Sequence, residues 1–124
     1  AKSYPYFDAI PECFTVFQWH AHIFSPPMQA IELATSECSP CQAYILGPHM
    51  ALQFHLEMGA ELIAALTEKY AEDLEGDSNC VQNREQIMRD IENKCSATFQ
   101  LADRMLTPWF QGIASGSKKS IQNL

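Results

Sequence analysis

The stretch Met50-Ala51-Leu52-Gln53-Phe54-His55-Leu56-Glu57 constrains the chain most, because the apolar period changes just beyond it. Leu52 and Phe54 sit in a run that reads as a buried strand, and a helical pattern follows from Gly59. Residues i and i+2 of extended backbone point to one face, so His55 and Glu57 project together if the extension persists that far. A carboxylate beside an imidazole holds one ring nitrogen protonated and leaves the other free to take a proton from a nucleophile. The pair is thus a candidate base and orienter, two parts of a catalytic triad whose nucleophile must come from elsewhere.

Upstream, Phe14 to His20 is rich in β-branched and aromatic residues and reads as a strand. Residues 1 to 13, with Tyr4, Pro5, Tyr6, Phe7 and Pro11, read as a proline-broken arm. Ala30 to Thr35 alternates apolar and polar residues and reads as a second strand, Ser36 to Pro40 as a turn, and Gln42 to Leu46 as a third strand stopped by Gly47-Pro48. Met50 to Phe54 is then the strand that delivers His55. Downstream, Leu62, Ile63, Leu66, Tyr70 and Leu74 make one apolar stripe on a helix of roughly four turns. Gly76 to Asn79 reads as a linker, and Asn83 as the N-cap of a helix carrying Ile87, Met88 and Ile91. Phe99, Ala102, Met105, Leu106, Trp109 and Phe110 form a further helical pattern that Pro108 should kink or divide, and the Ser115 to Ser120 end should fray.

A chain of 124 residues with 47% hydrophobic content is globular, one domain or part of one. Fifteen acidic residues against eight basic ones give a formal charge of −7, which argues against a nucleic-acid partner. No apolar run of membrane-spanning length occurs, and Ala1-Lys2-Ser3-Tyr4-Pro5 does not read as a cationic-then-apolar leader. With five cysteines at irregular spacing, an odd count, free thiols in a reducing, cytoplasmic compartment are expected. Cys38-Ser39-Pro40-Cys41 is the competing reading: with His20 and His22 it completes a Cys₂His₂ set that zinc accepts, and alone it is a candidate redox dithiol.

Gln53-Phe54-His55-Leu56-Glu57 resembles the Q-F-H-P-E signature of class I glutamine amidotransferases. Val16 to Phe24, containing Trp19-His20-Ala21-His22, resembles that family's W-H-G-D segment. Leu33-Ala34-Thr35-Ser36-Glu37 and Gln42-Ala43-Tyr44 resemble its L-A-S-S-E and Q-A-F strands. The resemblance runs from about residue 4 to 112 and is similar to the stand-alone, GMP synthase-like branch. Leu56 stands where the family has proline, and Ala21 where it has glycine. The family's G-x-C-x-G nucleophile elbow does not occur, since none of Cys13, Cys38, Cys41, Cys80 and Cys95 is flanked by glycines.

The resemblance implies an α/β fold: the carboxyl-terminal half of a three-layer, flavodoxin-like class I glutamine amidotransferase domain with a helical tail. Residues 1–75 would be that half, and residues 76–124 a helical extension packed on it. The missing amino-terminal half would bear the cysteine nucleophile and cover the sheet edge. The implied activity is hydrolysis of the glutamine side-chain amide to glutamate and ammonia, with His55 and Glu57 catalytic and Trp19, His20 and Ala21 lining the substrate pocket. The substrate is glutamine or a γ-glutamyl compound, with an ammonia-accepting synthetase as partner and no cofactor or metal. Three alternatives stand beside it: a γ-glutamyl hydrolase or peptidase of the same fold, a non-catalytic or zinc-stapled module built on Cys38, Cys41, His20 and His22, and an enzyme whose nucleophile is one of the cysteines present.

Overall fold

Alternating apolar residues and two tight turns build the sheet. A computed structural model of the chain describes residues 9–75 and 78–121, with side chains to residue 114. Strands β1 (Ile31–Ser36), β2 (Ser39–Leu46) and β3 (His49–Leu52) form an antiparallel meander in the order β1-β2-β3. Glu37-Cys38 turns β1 into β2, where Ser36 faces Ser39, and Gly47-Pro48 turns β2 into β3, where Leu46 faces His49. Gly47 has φ +57°, a left-handed conformation that a side chain disfavours. As the middle strand, β2 buries Ser39, Cys41, Gln42, Ala43 and Ile45, a nearly unbroken run.

Several expected elements differ, among them the Ser36 to Pro40 turn, which is only Glu37-Cys38 because Ser36 still pairs in β1 and Ser39 already pairs in β2. Phe14 to His20 is not a strand, and only Phe17 pairs, in an isolated antiparallel bridge with His55. The local propensity is real, but few backbone groups there meet a partner among the described residues. β3 ends at Leu52, short of Phe54. Lastly, α1 (Ala60–Lys69) is shorter than four turns and gives way to a 3-10 turn at Ala71–Leu74. Its buried positions are Ile63 and Thr67, while Leu62 is 54% exposed and Tyr70 39%. The buried Thr67 hydroxyl is satisfied by donating to the Ala64 carbonyl at 2.9 Å.

Asn83 caps α2 (Arg84–Met88) through a capping box: the Gln86 N–H donates to Asn83 Oδ1 and the Asn83 N–H to Gln86 Oε1, both at 2.9 Å. Ile91 belongs to the next helix, because the chain breaks at Asp90, whose φ is +55°. Lys94 spans that break, with Nζ donating to the Gln86 and Ile87 carbonyls at 3.1 and 3.2 Å. A cation there satisfies the end of α2. Helix α3 (Ile91–Ile121) runs through Pro108 undivided, and its backbone is helical up to Ile121. The missing Pro108 N–H costs one intrahelical bond without ending the helix.

Helix α3 lies on the sheet. Leu101 and Met105 join Leu33, Ala43, Ile45, Phe54 and Leu56 in the main core. Burying a side chain like Met105, which has no exposure, contributes on the order of 1.5–3 kcal/mol. Met58, Ile63 and Cys95 form a second cluster, with Phe17, Ile87 and Ile91 against it. Among the described residues, no helix is long and apolar enough to cross a membrane. The expectations for Tyr4 to Phe7 and for Gly76-Asp77 lie outside the described residues, as do the side chains of Ser115 to Ser120.

The free-thiol expectation is overturned at two positions. Cys38, in the β1–β2 turn, is joined by a disulfide to Cys80, 42 residues on, with Cα atoms 5.7 Å apart. In chain-entropy terms a loop of that length stabilises by about 4 kcal/mol. Cys13, Cys41 and Cys95 remain thiols.

Candidate active site

Past β3 the chain keeps one more ladder bond, the Gln53 N–H donating to the Gln42 carbonyl at 2.8 Å. It then bends, and the His55 N–H donates to the Phe17 carbonyl at 2.9 Å. Phe54, Leu56 and Met58 are buried while His55 and Glu57 face outward, so the two-residue alternation outlasts the strand. Phe54 is fixed by an edge-on contact with Phe14, ring centroids 5.9 Å apart.

Geometry and packing bring the pair together. His55 Nδ1–H donates to Glu57 Oε1 at 2.7 Å, and the Leu56 N–H donates to Glu57 Oε2 at 2.9 Å. A carboxylate can only accept, so the proton is assigned to Nδ1 and the lone pair to Nε2. Nε2 has no hydrogen-bond partner among the described residues. Partial burial raises the Glu57 carboxyl, but the hydrogen bonds from His55 and the backbone, with the imidazole's charge, outweigh it and leave the group below its ordinary value. The side chains are 38% and 68% exposed, so Nε2 can reach a reacting group.

Trp19, His20 and Ala21 lie elsewhere, on a cavity of about 760 Å³ also bounded by Phe17, Ile63 and Lys94. His55 and Glu57 do not line it. Phe17 joins the two places: it lines the cavity, bridges to His55, and its ring centroid lies 6.0 Å from the imidazole's. The Trp19 indole N–H donates to Asp73 Oδ2 at 3.3 Å. His20 Nδ1 donates to the His22 carbonyl at 2.9 Å, and its Nε2 lies 3.3 Å from Gln18 Oε1.

A polar chain behind His20 was not anticipated. Gln42, 2% exposed, donates from Nε2 to Gln18 Oε1 at 2.8 Å and to Ser36 Oγ at 3.0 Å, and its own Oε1 has no partner among the described residues. Its place opening the Gln42-Ala43-Tyr44 strand was visible in the sequence, but its partner 24 residues earlier was not.

The zinc-stapled and dithiol alternatives fail at Cys38, whose sulfur is committed to Cys80 and so is neither a thiolate ligand nor a partner for Cys41. Among the described residues no group of three His, Cys, Asp or Glu is placed to hold a metal. The cysteines present are poor nucleophiles where they are buried: burial first, and the Glu32 and Glu92 charges second, push the Cys41 and Cys95 thiols up. No described cysteine sulfur hydrogen-bonds to His55.

No protein-family model matches the chain, and no curated protein does. Two solved structures match. A glutamine amidotransferase from Methylobacillus flagellatus is 29% identical with a TM-score of 0.73, over 78% of this chain and 42% of that one. A glutamine amidotransferase from Thermotoga maritima is 28% identical with a TM-score of 0.70, over 85% of this chain and 44% of that one. The chain therefore spans less than half the length of either solved structure, and over that span its fold and sequence are similar to part of a glutamine amidotransferase of the class I type.

Proposed function

We propose that the chain supplies the base and orienter of a Cys-His-Glu triad that hydrolyses the glutamine side-chain amide. The observation that carries the reading is the 2.7 Å bond from His55 Nδ1 to Glu57 Oε1, which leaves Nε2 without a partner among the described residues. A thiol from a segment outside these residues gives its proton to His55 Nε2 and attacks the amide carbon. The imidazolium, held by Glu57, passes that proton to the departing ammonia and then draws one from the water that cleaves the γ-glutamyl thioester. Glutamate and ammonia are released, the ammonia to an acceptor-activating synthetase.

Trp19, His20 and Ala21 present the cavity wall to the substrate. Residues 1–75 act as the carboxyl-terminal half of a three-layer, flavodoxin-like domain and residues 76–124 as its helical extension, supported by Leu101 and Met105 sharing the sheet's core. The remaining half carries the nucleophile. A cytoplasmic site of action agrees with this chemistry.

Labelling of the whole protein with a glutamine-analogue diazo-ketone, followed by peptide mapping, tests the reading. A labelled cysteine outside this chain, with labelling slowed roughly a hundred- to ten-thousand-fold by His55→Ala, supports it. Labelling indifferent to His55 rejects it.

A further inference from the structure

We propose that the Cys38–Cys80 disulfide is a redox-sensitive tether, and that its reduction opens the Trp19–His20 cavity while leaving the sheet intact. Cys80, Val81 and Gln82 line that cavity together with residues 15–21. They belong to no helix or strand. The hydrogen bonds that residues 78–82 make, among the described residues, are internal: the Val81 N–H donates to the Ser78 carbonyl at 3.1 Å and the Cys80 N–H to Ser78 Oγ at 3.2 Å. Among the described residues, the disulfide is the bond that ties this wall to the sheet's β1–β2 turn.

At its other end the bond is wired toward the same cavity. Cys38 sits in the turn whose Ser36 Oγ accepts from the Ser39 N–H at 3.1 Å and from Gln42 Nε2 at 3.0 Å. Gln42 continues to Gln18, a cavity residue. One covalent bond thus holds a segment of low intrinsic order against a hairpin whose polar interior leads back to His20. Segments with few backbone partners open first when such a constraint is removed.

Both cysteines are exposed, so a thiolate can reach either sulfur. The reductant is a dithiol. Its thiolate attacks one sulfur, forming a mixed disulfide and releasing the other as thiolate. Its second thiol then closes the reductant's own disulfide, so two electrons and two protons pass to Cys38 and Cys80. In a reducing compartment, disulfides that form are characteristically transient and sensing, which suits an exposed bond of this kind.

The proposal goes beyond the amidotransferase reading, and its test does not use glutamine hydrolysis, so the two fail separately. Hydrogen exchange is measured by peptide on the oxidised protein, on the protein reduced with excess dithiothreitol, and on Cys80→Ser and Cys38→Ser. Amides of residues 15–21 and 78–82 should exchange at least about tenfold faster on reduction, those of β1 to β3 less than about twofold faster, and reoxidation should reverse the change. Three results overturn it: mapping that finds Cys38 and Cys80 as thiols in the oxidised protein, no acceleration at either segment, or equal acceleration of the strands, which marks a global staple. If the serine variants do not fold, the reversible reduction of the unmodified chain decides alone.

Discussion

The Trp109 indole N–H donates to the Pro48 carbonyl at 3.0 Å, fastening the middle of α3 to the tip of the β2–β3 turn across 61 positions of sequence. The turn has only two residues, so this bond holds the hairpin end as well as the helix. Trp109→Phe keeps an aromatic side chain and removes the donor. It should cost about 1 kcal/mol, read as a lowered urea midpoint with unchanged slope.

Glu57 fixes which nitrogen of His55 carries the proton. In Glu57→Gln the amide can present either oxygen or nitrogen to Nδ1, and the assignment is no longer enforced. Imidazole nitrogen chemical shifts should move from a single Nδ1–H form toward a mixture of tautomers. An unchanged Nδ1–H population would show that Glu57 does not set the tautomer.

Acid should weaken the fold through the same carboxylate. Partial burial raises its pKa, but the His55 and backbone hydrogen bonds lower it further, so the folded value lies below the ordinary 4.5. The unfolded chain then takes up the proton first as pH falls. The contribution is complete above pH 4.5 and is lost as pH drops through the folded value. Denaturation of the unmodified chain and of Glu57→Gln should give a stability difference that shrinks as pH falls below 4.5.

Met105→Ala and Asn83→Ala separate core from cap. Met105 has no exposure and touches the sheet's core, so its truncation should cost about 2–5 kcal/mol. Asn83 is exposed and supplies one half of a reciprocal cap, so Asn83→Ala should cost about 1 kcal/mol and loosen only α2. Calorimetry ranks the two.

What could be read from the sequence was local in origin. Gly47-Pro48 marked a turn, Asn83 a cap, and the two-residue spacing of His55 and Glu57 put them on one side. What could not be read depended on partners far along the chain. Phe14 to His20 has strand propensity but pairs only at Phe17, Leu62 and Tyr70 keep helical spacing yet face solvent, and Cys38 finds Cys80 rather than the nearer Cys41. Spacing describes what a segment could present, whereas pairing depends on what the fold sets opposite it.

Phe17 gives its carbonyl to the His55 N–H and its ring to the cavity that holds Trp19. The wall of that cavity and the backbone that carries the imidazole are therefore a single hydrogen bond apart.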